Sequence, residues 1–230
     1  MKKALALFSL FASVLIGCGG GGGGGSDGSP APSGTPTTTT FPIASAVSAF
    51  LQTGHSYTLS AVDGSDTYTI QFSYTPGSQQ TFEGHLSSTM VQSALVKKNG
   101  TTAQTASGTM YFDVSPFKAI GFIESDGHYE VISNQQTLPS SATAGQIGAL
   151  DSSTTYTSST KTSTYSTDTR TWSLEADTAS TAWACFNTST KFPNSTSTNT
   201  TAECYKIDTS GNVSALKITI YVNGQSVTFK

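Results

Sequence analysis

The sequence predicts an all-β domain, an antiparallel meander of about ten strands curled into a barrel or a two-sheet sandwich, with one short N-terminal helix. Three observations predict it. Ser and Thr make up roughly a third of the 230 residues, about twice the ordinary share, and only 11% are charged. Such a chain lacks the good helix formers and i,i+4 pairs that an isolated helix needs, while its Thr, Tyr, Phe, Val and Ile suit a half-buried pleated surface. Apolar and polar side chains alternate with period two, most plainly where Tyr68, Ile70, Phe72 and Tyr74 interleave with Thr67, Thr69, Gln71 and Ser73. The alternation is punctuated by residues that tolerate positive φ: Asp63-Gly64, Pro76-Gly77, Asn99-Gly100, Asp126-Gly127, Ser210-Gly211-Asn212 and Asn223-Gly224.

Taken in chain order, residues 1–17 read as a signal peptide. Lys2 and Lys3 form a positive start, and the apolar stretch from Ala4 to Ile16 is too short for the ~20 residues of a membrane-spanning helix. It closes with Leu15-Ile16-Gly17-Cys18, which resembles the lipobox of Gram-negative bacterial lipoproteins. The resemblance implies cleavage before Cys18 and acylation of its thiol and new amino group, with palmitate-type chains as the membrane anchor. At roughly 0.8 kcal/mol per buried methylene, two or three such chains hold a protein at a membrane essentially permanently. Gly19, not Asp, follows Cys18, so by the same resemblance the inner-membrane retention signal is missing and the outer membrane is the expected address.

Residues 18–42 read as the lipidated Cys and its linker. An unbroken glycine run, Gly19 to Gly25, leads into Ser, Pro and Thr, a composition that has nothing to bury against its ordering entropy. As a flexible coil the 24 residues after Cys18 span roughly 27 Å and reach about 80 Å when stretched. Such a spacer is similar to those of many Gram-negative lipoproteins, including the transferrin-binding type. Gly24-Gly25-Ser26-Asp27-Gly28 fits the G-x-S-x-G nucleophile pattern, but that motif needs a strand-to-helix elbow and not a glycine tract.

Residues 43–230 read as a single β domain. Residues 43–52 carry Ile43, Val47, Phe50 and Leu51 at helical spacing, a short helix placed to plug one end of a barrel. Strands are expected near 56–61, 67–74, 81–87, 90–97, 108–114, 119–124, 128–133, 171–176, 181–186, 203–207, 215–222 and 226–230. Two polar stretches interrupt them. Residues 152–169 read as a mobile loop or an edge hairpin with two wet faces, and residues 187–201, richer still in Asn, Ser and Thr, read as a second polar loop.

Lipidation of Cys18 leaves Cys185 and Cys204, an even pair in an oxidising compartment, and a disulfide is expected between them. Set opposite each other on antiparallel strands, they leave Ala184, Phe186, Tyr205 and Ile207 together on the other, apolar face. A redox or metal role is disfavoured, since the chain has neither C-x-x-C nor clustered His.

No motif supplies a catalytic, cofactor or metal site. His55, His85 and His128 are scattered, and no H-E-x-x-H occurs. Ser115-Pro116-Phe117-Lys118 fits S-x-x-K without its partner motifs and reads as a Pro turn between strands. Glu124, Asp126 and Glu130 surround one turn as a carboxylate pair or weak calcium site, with a solvated hairpin tip as the favoured reading. Five N-x-[ST] sequons, at Asn99, Asn187, Asn194, Asn199 and Asn212, mark hydrophilic surface. Trp172 and Trp183 read as core before they read as a sugar-stacking platform.

A formal charge of −3, with no basic field, argues against nucleic acid as a partner. The functional expectation is therefore a non-enzymatic β domain, anchored to the outer membrane by lipid and facing the periplasm or the surface. It would serve envelope structure or interaction with a protein or glycan. The alternatives are a lipocalin-like barrel around a small apolar ligand and, third, a hydrolase or glycan-active enzyme.

Overall fold

Alternating side chains build long strands, and the computed structural model describes residues 39–193, 195, 198–222 and 225–230, with backbone alone at 222 and 225. In order they are β1 (Thr40–Phe41), α1 (Ile43–Leu51), β2 (His55–Asp63), β3 (Asp66–Phe82), β4 (His85–Lys98), β5 (Thr101–Val114), β6 (Phe117–Glu124) and β7 (Tyr129–Ser133). There follow β8 (Ala142–Thr143), β9 (Ile147–Tyr156), β10 (Thr164–Ala176), β11 (Thr181–Lys191), β12 (Thr198–Asp208), β13 (Val213–Val222) and β14 (Gln225–Phe229). Twelve of the strands form one antiparallel sheet in the order β14-β13-β12-β11-β10-β9-β7-β6-β5-β4-β3-β2. Its outer strands meet where Ser60 and Lys230 exchange two backbone hydrogen bonds, at 3.0 and 3.2 Å. The result is a nearly closed barrel, which relieves both outer strands of an exposed edge.

The helix forms where expected. Ile43, Ala46, Val47, Phe50 and Leu51 make one buried stripe at i, i+3, i+4, i+7 and i+8. Phe50 carries the stripe into the barrel, where its ring packs edge-on against Tyr74 of β3 and Tyr205 of β12, at centroid distances of 5.2 and 4.7 Å. A gap of about 10 Å³ lies beside Val47, Phe50, Phe186 and Tyr205, room for one water at most. A short excursion between β7 and β9 straps this end: β8 pairs with β1, Phe41 facing Ala142, and Ala44 N–H donates to Pro139 O. The strap draws Thr40 and Phe41 into the fold.

Several expectations give way. Pro76-Gly77 is an irregularity inside β3 and not a turn; the chain reverses later, at Glu83 and Gly84, both at positive φ. The strand expected over 81–87 therefore straddles a hairpin tip. The tip folds back over the outer face of the barrel, where Phe82 stacks on Tyr111 and Tyr129 in a small second core. It lies so close to Gly121 that a Cβ there would collide with the Phe82 ring and the Glu130 carbonyl.

Of the two polar stretches, 152–169 is a hairpin as one expectation had it, but in the middle of the sheet and not at its edge, and 187–201 is largely strand. Residues 152–169 supply the second half of β9 and the first part of β10, joined by a short connection, while 187–191 end β11 and 198–201 begin β12. Their inner faces are polar: Ser153, Thr155, Ser166, Thr188 and Thr190 are buried. Ser115-Pro116-Phe117-Lys118 is the expected turn, with a cis bond between Ser115 and Pro116. Trp172 is core, whereas Trp183 faces outward beneath Lys206 and Lys217. The leader, Cys18, most of the linker, the glycine-tract motif, Asn194 and the Asn223-Gly224 turn lie outside the described residues.

Candidate functional site

The interior changes character along its axis. At the α1 end it is apolar; towards the opposite end, where the β6–β7, β9–β10 and β11–β12 connections gather, its wall is acidic. Register explains how each group gets there. On β10, period two places Ser166, Asp168, Arg170, Trp172 and Leu174 on the inner face. Opposite, β9 carries one extra residue between its pairs with Arg170 and Thr171. That bulge turns both Leu150 and Asp151 inward, so Asp151 stands beside Arg170. On β7 it is Glu130 that faces in, while Tyr129 joins the outer cluster under Phe82.

Arg170, 1% exposed, is the hub. Its Nη2 pairs with Glu130, its Nη1 donates to Asp151 Oδ1 at 3.2 Å, and Asp168 Oδ2 lies 3.8 Å from Nη2. Asp168 also accepts from Ser153 Oγ, at 3.2 Å. Burial pushes Arg170 down to about 9, which leaves the guanidinium charged at neutral pH. One cation does not balance three carboxylates. Burial first, then the charge of Asp168, raises Asp151 to about 8. Burial raises Asp168 to about 6 against the hydroxyls of Thr190 and Ser153. Deeper still, Glu203 accepts from the phenols of Tyr74, at 3.1 Å, and Tyr205, and burial lifts it to about 8.

The mouth above this wall is built by the β6–β7 hairpin. Glu124 and His128 close it through two backbone contacts, Glu124 N to His128 O and Gly127 N to Glu124 O, each 3.0 Å. The turn needs Gly127 at φ +99°, a conformation that side chains disfavour. Within it Glu124 Oε2 and Asp126 Oδ2 lie 3.7 and 3.1 Å from His128 Nδ1. The His128 ring packs 4.0 Å from Tyr165 of β10, which in turn meets Phe192 edge-on. Burial, then Asp126 and Asp168, raises Glu124 to about 8.

Of the three acids expected around one turn, the structure keeps Glu124 and Asp126 together and sends Glu130 inside to Arg170. The other two histidines stand apart on separate elements: His55 stacks on Phe50 and His85 meets Asp113 at 2.9 Å. Cys185 and Cys204 are bonded across β11 and β12, directly opposite in register. Glu175 lies within reach of both sulfurs, but bonded sulfurs are not metal ligands. Sequence reasoning missed Arg170, Asp151, Asp168 and Glu203. Extending the Trp172-Leu174 alternation backwards would have placed Arg170 and Asp168 inside; the bulge that turns Asp151 inward left no such signal. Comparison with protein-family models, with curated proteins and with solved structures finds no match to this chain.

Proposed function

We propose that this chain is a lipid-anchored envelope protein, held to the outer membrane by acylated Cys18 and presenting its β-barrel as a non-enzymatic surface for structural or binding contacts. The observation that carries the reading is the contrast between a packed aromatic core at the α1 end of the barrel and a hydroxyl-rich outer face. Phe50, Tyr74, Tyr205 and Glu203 meet across the interior, which favours this reading over a carrier whose pocket would need some 300 Å³ or more. Outside, Ser133, Ser152, Thr169, Ser189 and Thr200 follow one another in register across β7, β9, β10, β11 and β12. A lipid-facing barrel wants an apolar band there, so this face suits water and polar partners. Among the described residues no helix is long and apolar enough to cross a membrane. In this reading acylated Cys18 is the anchor, and the spacer sets the distance.

Mass spectrometry of the full chain purified from membranes tests the proposal. The expected product begins at Cys18 and carries fatty acyl groups, and Cys18→Ser abolishes both the acylation and the membrane association. An unacylated Cys18 with residues 1–17 still attached would overturn it.

A further inference from the structure

We propose that Glu124, Asp126 and His128, at the acidic mouth of the barrel, bind a divalent metal ion of the zinc class. The geometry is that of a site already drawn together. Two ligands of a tetrahedral zinc ion, each about 2.1 Å from the metal, stand about 3.4 Å apart. The distances from His128 Nδ1 to the two carboxylates, 3.1 and 3.7 Å, bracket that value. All three donor atoms lie within 4.8 Å of one another. They come from alternate positions of a single five-residue turn, so little chain entropy separates the empty arrangement from the filled one.

A second observation also points to a cation. Behind the triad Asp168 is buried, and its Oδ1 accepts no hydrogen bond. Its charge acts on Glu124 directly. Arg170 is paired with Glu130, so Asp168, raised only to about 6, keeps a negative charge behind the mouth at neutral pH. A divalent ion held by Glu124 would answer that charge. The donor set selects the metal: an imidazole nitrogen with two carboxylates suits zinc and its neighbours, whereas calcium takes six to eight oxygens. Tyr165, packed on the imidazole, holds the ring in place, and Asp126, 40% exposed at its side chain, leaves the site open to solvent on the outer side. Three protein ligands leave a fourth position for water or for a donor from another molecule.

Equilibrium dialysis of the metal-free full chain against zinc, and separately against calcium, tests the site, with cobalt(II) absorption reporting its coordination. The expected result is one zinc per chain, a tetrahedral cobalt spectrum, and weaker binding in His128→Gln by about tenfold or more. Asp126→Asn, at an exposed tip, gives a second variant that keeps the turn, and it should weaken binding as well. His85→Gln removes the other exposed His-Asp pair and should leave binding unchanged. Zinc retained equally by the His128 and Asp126 variants, calcium bound in preference to zinc, or no zinc bound by a chain of native circular dichroism would each overturn the proposal.

Discussion

Tyr74 and Glu203, 129 residues apart in sequence, meet inside the barrel, where the phenol of β3 donates to the carboxyl of β12 at 3.1 Å. Tyr205 donates to the same oxygen. Together the three groups form a polar strut across a space that is otherwise apolar. Two phenols can satisfy one oxygen of Glu203, yet they do not offset the cost of burying a full charge, and the carboxyl keeps its proton up to about pH 8.

A stability profile follows from that proton. Glu203 has an ordinary value of 4.5 and a folded value of about 8, so between these pH values the native state holds a proton that the unfolded chain has lost. The stabilisation is complete below 4.5 and is lost as pH rises through about 8, at about 1.4 kcal/mol per pH unit. Asp151 and Asp168 shift in the same direction and add to the slope. Thermal unfolding should therefore show a higher Tm at pH 5 than at pH 8. Glu203→Gln keeps an acceptor for the phenols and should flatten the profile, with its gain over the parent greatest at pH 8. A profile equally steep in the variant would show that Glu203 does not set it.

Removing Arg170 should be severe. Arg170→Met leaves Glu130, Asp151 and Asp168 buried without their cation, and breaking a buried ion pair in this way costs about 3–5 kcal/mol. The loss should shrink at low pH, where the carboxyls take up protons. Adding Glu130→Gln and Asp151→Asn to Arg170→Met should restore much of the stability at pH 7. Urea midpoints of the single and triple variants at two pH values decide the matter, and a triple variant no better than the single one refutes the charge argument.

The hairpin tip between β3 and β4 makes a third prediction. Phe82 rests over Gly121, where any side chain would strike its ring and the neighbouring carbonyl. Gly121→Ala should cost about 1–3 kcal/mol through overpacking and lift the tip from the barrel wall. The tip is further tied by Glu83, which takes hydrogen bonds from Tyr129 and Lys161, at 2.7 and 2.6 Å. Limited proteolysis should therefore find new cleavage within residues 78–86 in the variant, while amides of β9 to β12 keep their protection from hydrogen exchange.

How much of this was legible in the sequence depends on which face of a strand carries the message. Tyr68, Ile70, Phe72 and Tyr74 announce a strand because apolar side chains mark its inner face, and the Cys185–Cys204 register was readable for the same reason. The acidic half of the interior has no such marker. Ser153, Thr155, Ser166 and Asp168 face inward, yet in sequence they resemble a solvated loop, since period two is visible only where the two faces differ in polarity. Glu203 was within reach, because it shares a face with Tyr205 and Ile207. Tyr129 breaks the pattern the other way: it is a large aromatic that faces outward, covered by a hairpin tip that folds back from 46 residues earlier. The spacing grouped Glu124 and Asp126 at one turn, but it put Glu130 with them where the structure puts His128, and Tyr165 joins them only through the fold.

The last prediction concerns the disulfide, whose sulfurs lie under a roof. Lys217 on β13 reaches over β12 and β11 to Glu175 on β10, with its Nζ 2.7 Å from the carboxylate and 4.7 Å from the Trp183 ring. A carboxylate oxygen of Glu175 lies within 4.8 Å of both sulfurs, and both cysteines are buried. Replacing Cys185 and Cys204 by Ala should cost about 3 kcal/mol, the entropy of a loop of this length in the unfolded chain. Lys217→Ala should behave differently. An exposed ion pair contributes about 1 kcal/mol or less, so the urea midpoint should barely move. The route to the sulfurs is opened, however, and dithiothreitol should reduce the native protein faster. The rate of free-thiol appearance at a denaturant-free pH 8 separates the two effects: a rate unchanged by Lys217→Ala would mean that reduction waits on unfolding and that the roof plays no part.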